Sequence, residues 1–154
     1  MFLSVDIVDS EEWHIERIAA NMRSDDVREI WASHRSLPAK ALRSGLRSQR
    51  CWTAMIEGKP AVMFGVCDKS ILTRTGIPWL LATDELSDIK RQFLTYSKEY
   101  IEKSMKGYDL LENHVHVDNK LSIRWLKWIG FSLVKKEPYG IQGELFWHFQ
   151  MRNN

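Results

Sequence analysis

The chain has 154 residues, is 44% hydrophobic and 27% charged, and carries a net charge of +2. That length allows one domain with a real core, taken as 1–154. The composition excludes a disordered chain, and a charge so near neutral names no class of partner. The N-terminus MFLSVDIVDS has no basic lead and meets Asp6 at once, so no secretory leader is predicted. The longest apolar run, Ile77 to Ala82, is far shorter than the ~20 residues of a membrane helix, so no membrane contact is expected. Cys51 and Cys67 match no metal spacing and no disulfide framework. They read as reduced thiols of an intracellular protein, although spacing leaves one bridge between them open. Seven tryptophans point to a large aromatic core, with one or two, Trp128 first, on a contact surface.

In chain order, FLSVDIV (2–8) reads as a strand, and Asp9 with Glu12 has capping-box spacing for a helix carrying Ile15, Ile18, Ala19 and Met22. Ser24 with Asp25 and Asp26 starts a second helix, whose first-turn acids suit the helix dipole and which carries Val27, Ile30, Trp31 and His34. Pro38 fits the first turn of a third helix, over 38–48. Lys40, Arg43, Arg47 and Arg50 recur at helical intervals, so most of them share a face there. CWTAMIEG and KPAVMFGVCDK form two strands around the turn dipeptide Glu57-Gly58. IPWLLAT (77–83) follows as a central strand buried on both faces.

Asp88 to Lys106 has the clearest helical periodicity, supported by Glu99–Lys103 and Glu102–Lys106 at i, i+4 and stopped by Gly107. LLENHVHV (110–117) alternates as a strand. NKLSIRWLKWIGF (119–131) is a short helix with Ile123, Leu126 and Ile129 turned to the sheet. Lys120, Arg124 and Lys127 form a basic row toward water or a partner, with Trp125 and Trp128 at the boundary. FSLVKKEPY and ELFWHFQM close the chain as a hairpin. The expected fold class is α/β (α+β): a mixed, mostly antiparallel central sheet flanked by helices.

This order resembles the GNAT superfamily of acyl-CoA N-acyltransferases. Asn119, Ser122, Ile123, Ile129, Gly130 and Phe131 stand at the spacings of that family's last helix. WTAMIEGKPAVMFGV resembles its second and third strands, with Gly65 where a glycine is common. A narrower likeness runs through GYDLLENHVHVDNKLSIRWLKWIGFSLVKKE, which is similar to the C-terminal half of small internal virion proteins of short-tailed phages. The second likeness implies a role in virion assembly, with other phage structural or assembly proteins as partners. It also implies residence in the host cytoplasm during infection, or association with the virion.

The first likeness implies an acetyl-CoA site, and here the sequence departs from the family. A Gly-rich turn after the fourth strand holds the cofactor's pyrophosphate in GNAT enzymes. The matching stretch, LLATDELSDIKRQF, has no glycine and sets Asp84, Glu85 and Asp88 where phosphates would sit. Each such carboxylate costs roughly 1 kcal/mol against a diphosphate at surface dielectric. The family's tyrosine acid in the last helix corresponds to Leu126, which can neither give nor take a proton.

The expectation is therefore a degenerate, non-catalytic GNAT-like protein without a cofactor. The alternative is an active N-acetyltransferase. It would bind acetyl-CoA through Thr83, Leu86, Asn119 and Ser122 and take Glu112 or His114 as base. Glu112, His114, His116 and Asp118 share one strand face, and no third ligand at a suitable spacing makes this His-x-His a metal site. A second alternative is nucleic-acid binding through Lys40, Arg43, Arg47 and Arg50.

Overall fold

The computed structural model describes residues 3–154. Its elements run β1 (Val5–Asp9), α1 (His14–Ala20), α2 (Ser24–His34), α3 (Pro38–Gly45), β2 (Arg50–Ile56), β3 (Lys59–Ser70) and β4 (Thr75–Ala82). A 3-10 turn over Asp84–Ile89 leads into α4 (Lys90–Met105), followed by β5 (Leu110–His116), α5 (Lys120–Ile129), β6 (Ser132–Tyr139) and β7 (Glu144–Arg152). Seven strands form one sheet in the order β1-β2-β3-β4-β5-β7-β6. Every neighbouring pair is antiparallel except β4 and β5. This is the mixed, mostly antiparallel sheet that the sequence predicts.

Side chains alternate across the strands, which divides the core into two layers. On one face Ile15, Ile18 and Leu42 of α1 and α3 pack on Met63 and Leu81. On the other, Phe93 of α4 meets Val62, Phe64 and Ala82. Ile123, Leu126 and Ile129 of α5 cover Leu111, Val115 and Phe149 on that same side. The inward row predicted for α5 is therefore the observed one. Gly130, at φ 110°, ends that helix, and Phe131 N–H then bonds back to the Leu126 carbonyl.

Several local expectations are corrected. The predicted first strand begins at Phe2, which lies outside the described residues; the observed strand starts at Val5. The Asp9/Glu12 capping box does not form: α1 begins at His14 with no side-chain cap. α3 ends at Gly45, and Arg50 lies on β2. The long helix begins at Lys90, after the 3-10 turn, and its predicted i, i+4 ion pairs are absent among the described residues. Lys103 instead sits 4.4 Å from the centre of the Tyr100 ring. The tryptophans are not core residues in the main. Trp13, Trp31 and Trp128 are exposed and the other four half-buried.

The largest correction concerns α2. Its predicted apolar side chains Val27 and Trp31 face outward, while Asp26 and Ser33 are buried. A helix turns its polar face inward only where that face finds hydrogen-bonding partners. Those partners lie at the mouth of a split in the sheet.

Candidate functional site

The β4–β5 ladder is short, pairing Thr75 with Leu110 and Gly76 with Leu111, and the strands then diverge. No loop shorter than a helix joins parallel neighbours, so these strands belong to separate antiparallel halves and are free to splay. The gap opens a cavity of about 680 Å³. Pro78, Trp79, Leu80 and Leu81 form one wall and Asn113, His114 and Val115 the other. Side chains from both sheet faces line it: Ser122, Trp125 and Leu126 of α5 on one side, Ile30, His34 and Lys40 on the other. The cavity thus passes through the plane of the sheet. IPWLLAT is accordingly half-buried along 77–80 rather than buried on both faces.

The β4 edge facing the gap has few backbone groups to offer. Thr83 N–H donates to the Ala61 carbonyl on the β3 side at 2.8 Å, so by alternation Pro78, Leu80 and Ala82 present their backbone groups to the gap. Pro78 has no N–H, and its carbonyl accepts Asn113 Nδ2 at 2.8 Å. Ala82 N–H donates to Asp26 Oδ2 at 2.9 Å, and Ala82 C=O accepts Arg23 N–H at 2.8 Å. Only Leu80 remains open to a strand-like ligand.

The clasp at Ala82 belongs to a buried network. Asp26 and Asn119 are each 2% exposed and Arg23 6%. Arg23 Nη1 donates to Asp26 Oδ1 at 2.8 Å, and its Nη2 donates to Asn119 Oδ1 at 3.3 Å. Asn119 Nδ2 reaches Glu29 Oε1 at 3.2 Å, and His116 N–H donates to the same oxygen at 2.9 Å. One guanidinium serves the buried Asp26 and Glu29 and also the half-exposed Asp25, whose Oδ2 lies 3.6 Å from Arg23 Nη2. Loss of water raises Asp26 to about 6, against the pull of Arg23. The same cause raises Glu29 to about 7, although His116 N–H opposes it. The sequence carries a signal for this network: Asp26 and Glu29 stand three residues apart on α2, and Arg23, three residues before Asp26, immediately precedes the helix.

The predicted site residues separate into two groups. His114 and Ser122 line the cavity; Thr83, Leu86, Asn119 and Glu112 do not. Thr83 is 1% exposed, and Leu86 N–H bonds to the Thr83 carbonyl at 3.2 Å. The backbone donors of both residues are therefore spent inside the fold. Glu85 is drawn to Arg17 at 2.6 Å, which holds its carboxyl below the usual range. A pyrophosphate would meet spent donors and ionised acids here, so these residues do not fit the phosphate end of acetyl-CoA.

Glu112, His114 and His116 do share the strand face expected of them; Asp118 lies past the strand end and pairs with Arg28 at 2.9 Å. Burial pushes Glu112 up, but Lys69 Nζ at 2.7 Å and His148 Nε2 at 3.4 Å together outweigh it and keep the carboxyl low. His114 stacks on Tyr139 with ring centres 3.8 Å apart, and its Nε2 meets Glu137 Oε1 at 3.2 Å. Burial lowers its pKa, with Glu137 partly offsetting, so His114 is biased toward the neutral imidazole. Tyr139 and Glu137 escaped the sequence reading because they come from the closing hairpin. Among the described residues no cluster of His, Cys, Asp and Glu could hold a metal ion.

The basic stripe does not form one surface. Arg43 pairs with Glu12 at 3.2 Å, while Lys40 and Arg47 border the cavity. Arg50 spans to the end of α4, where its Nη1 donates to the carbonyls of Lys103 at 2.6 Å and Ser104 at 3.0 Å. There it caps the negative end of a helix dipole.

Solved structures similar to this chain are acetyltransferases. Ard1 from Thermoplasma volcanium superposes with a TM-score of 0.71 at 15% identity, over 97% of this chain and 98% of that one. An acetyltransferase of Bacillus subtilis in complex with CoA gives 0.65 at 14% identity, over 99% and 100%. Spermidine N-acetyltransferase from Vibrio cholerae in complex with CoA and spermine gives 0.70 at 10% identity, over 96% and 95%. At these identities the likeness is one of fold, that of GNAT acetyltransferases. No helix among the described residues is long and apolar enough to cross a membrane. Residues 59–137 match the family model described as "Bacteriophage T7, probable scaffold protein Gp13". The probable scaffold protein gp13 of Escherichia phage T7 is 32% identical over 122 residues, spanning 73% of this chain and 80% of that protein. This chain belongs to the family of bacteriophage T7 probable scaffold protein Gp13, built on the GNAT acetyltransferase fold.

Proposed function

We propose that this protein is a GNAT-fold chain that no longer transfers acyl groups. It acts in phage particle assembly, in the host cytoplasm or within the particle, through contacts with other particle proteins. The assembly role follows the family's described function. One observation supports the loss of chemistry above all: Arg23 and Asp26 occupy both backbone groups of Ala82, at the end of the strand edge that faces the cavity. Leu126 at the cavity wall, in place of a proton donor, points the same way.

Thermal unfolding with and without millimolar acetyl-CoA tests it. A ligand at 100 times its Kd stabilises a fold by about 2.7 kcal/mol, a shift of roughly 5–10 °C for a chain of this size. No shift is expected. A clear shift that an unrelated nucleotide does not reproduce would overturn the proposal.

The second reading is an N-acetyltransferase. It draws on the open cavity of about 680 Å³ with the neutral-biased His114 on its wall. Release of free thiol from acetyl-CoA in the presence of a panel of amines would establish it.

A further inference from the structure

α4 and α5 together carry seven cations and two carboxylates, in a chain whose total charge is only +2. α5 contributes Lys120, Arg124 and Lys127 and no carboxylate, and all three are exposed. The two helices pack side by side, joined where Trp125 Nε1 donates to Ser97 Oγ at 3.0 Å. On the outer side of that seam, Lys98 Nζ lies 4.6 Å from the centre of the Trp128 ring, and Trp128 is 51% exposed. Arg91, seven residues before Lys98, shares its face of α4 and is exposed as well.

This charge is not neutralised within the molecule. Among the described residues Lys98, Lys120, Arg124 and Lys127 have no carboxylate partner, whereas Arg17, Arg28 and Arg43 each have one. Other exposed cations, Lys59 and Arg152 among them, are also without a carboxylate partner among the described residues; what sets this face apart is the large exposed indole of Trp128 at the centre of its cations.

We propose that the α4–α5 face centred on Trp128 docks an acidic surface of another particle protein. The inference rests on the assembly role proposed above. Two features favour a protein over a nucleic acid. The α5 row spans only about 10 Å from Lys120 to Lys127, by helical rise, which is a spot rather than a track for a phosphate backbone. Its centre is an indole with cations around it, the arrangement of a contact anchor inside a charged rim. The partner surface would offer an apolar recess for Trp128, with Asp or Glu side chains spaced to meet Arg124, Lys127 and Lys98.

The test deletes the gene from the phage that carries it and supplies full-length variants from a plasmid. Arg124→Glu/Lys127→Glu reverses the row at exposed positions, and Trp128→Ala removes the anchor. Lys59→Glu/Arg152→Glu reverses equal charge on exposed strand residues, and unfolding midpoints confirm that every variant folds. The expected result is at least a tenfold loss of progeny with the first two variants and none with the third. Suppressors of Arg124→Glu/Lys127→Glu are expected as Asp or Glu to Lys or Arg changes in the gene of another particle protein.

Full complementation by Arg124→Glu/Lys127→Glu, or suppressors confined to this chain, would overturn the proposal. So would binding of a DNA duplex by the purified protein that this variant abolishes, since the face would then be a nucleic-acid surface. If the empty plasmid restores as many particles as the wild-type gene, the assembly role itself falls. The empty-plasmid arm separates that failure from a failure of this surface alone.

Discussion

The Asp26 carboxylate accepts the Ala82 backbone N–H at 2.9 Å, across 56 residues of chain. This contact ties α2 to the open edge of β4. Replacing Asp26 with Ala would leave Arg23 buried without its main counter-charge and Ala82 N–H without an acceptor. Breaking one side of a buried pair costs about 3–5 kcal/mol, so the unfolding midpoint should fall by roughly 10 °C. Arg23→Met/Asp26→Leu, which removes both charges, should recover much of the loss. Equal midpoints for wild type and Asp26→Ala in thermal unfolding would show that the clasp contributes nothing.

The same network gives stability an unusual dependence on pH. Asp26 and Glu29 ionise near 6 and 7 in the fold and in the ordinary carboxylate range when unfolded. Between those values the folded state holds more protons, so their contribution is full below about pH 4 and is lost as pH rises to 7. Glu85, Glu112 and Glu137 are lowered in the fold and act oppositely, losing their contribution as pH falls through their folded values. Glu29→Gln keeps an oxygen for His116 and Asn119 and removes the desolvated charge. It should stabilise at pH 8 by on the order of 2 kcal/mol, with the gain shrinking toward pH 5. Midpoints of the two proteins measured across that range should converge on the acid side; a constant difference would exclude Glu29 as the titrating group.

Leu126→Tyr restores a phenol at the cavity wall, at the position where GNAT enzymes carry their acid. The phosphate end of the site remains unsuited to the cofactor, so thiol release from acetyl-CoA with spermidine should stay at background. Release by Leu126→Tyr that Leu126→Phe does not match would mean that the missing acid alone had silenced the chain.

Gly65 fixes the closeness of β2 and β3. A Cβ there would meet the Arg50 backbone carbonyl at 2.1 Å, inside any real contact. Gly65→Ala should destabilise by about 1–3 kcal/mol or more, as overpacked sites do. It should also disturb the Arg50 guanidinium that caps α4. Hydrogen exchange at the C-terminal turn of α4 reads the second effect, which ought to accelerate along with the drop in midpoint.

Periodicity and turn residues made the element order, the β2–β3 hairpin and the inward row of α5 legible in the sequence. Each of these is set by residues close together in the chain. What lay hidden depends on distant partners. Asp25 and Asp26 look alike as first-turn acids, yet Asp25 is half-exposed and Asp26 is held by Ala82. Arg50 continues a helical spacing but lies on a strand, because α3 stops at Gly45, packed against the Trp79 ring. Val27 and Trp31 mark an apolar stripe on α2, but the polar side of that helix wins the interior through Ala82, His116 and Asn119. For the candidate site, spacing brought His114 and Ser122 to the cavity; it could not show that Thr83 and Leu86 spend their donors within the fold.

Along most of the sheet, shear is resisted by many rungs; between β4 and β5 it is resisted by the pairs at Thr75–Leu110 and Gly76–Leu111. The two halves of the sheet are plates joined at one corner, with Asp26–Ala82 as a pin across the opposite corner. Asn119, at the head of α5, touches that pin through Arg23 and Glu29. A load on α5 is therefore delivered to the pin, and tension on that helix and the grip of α2 are parts of one lever.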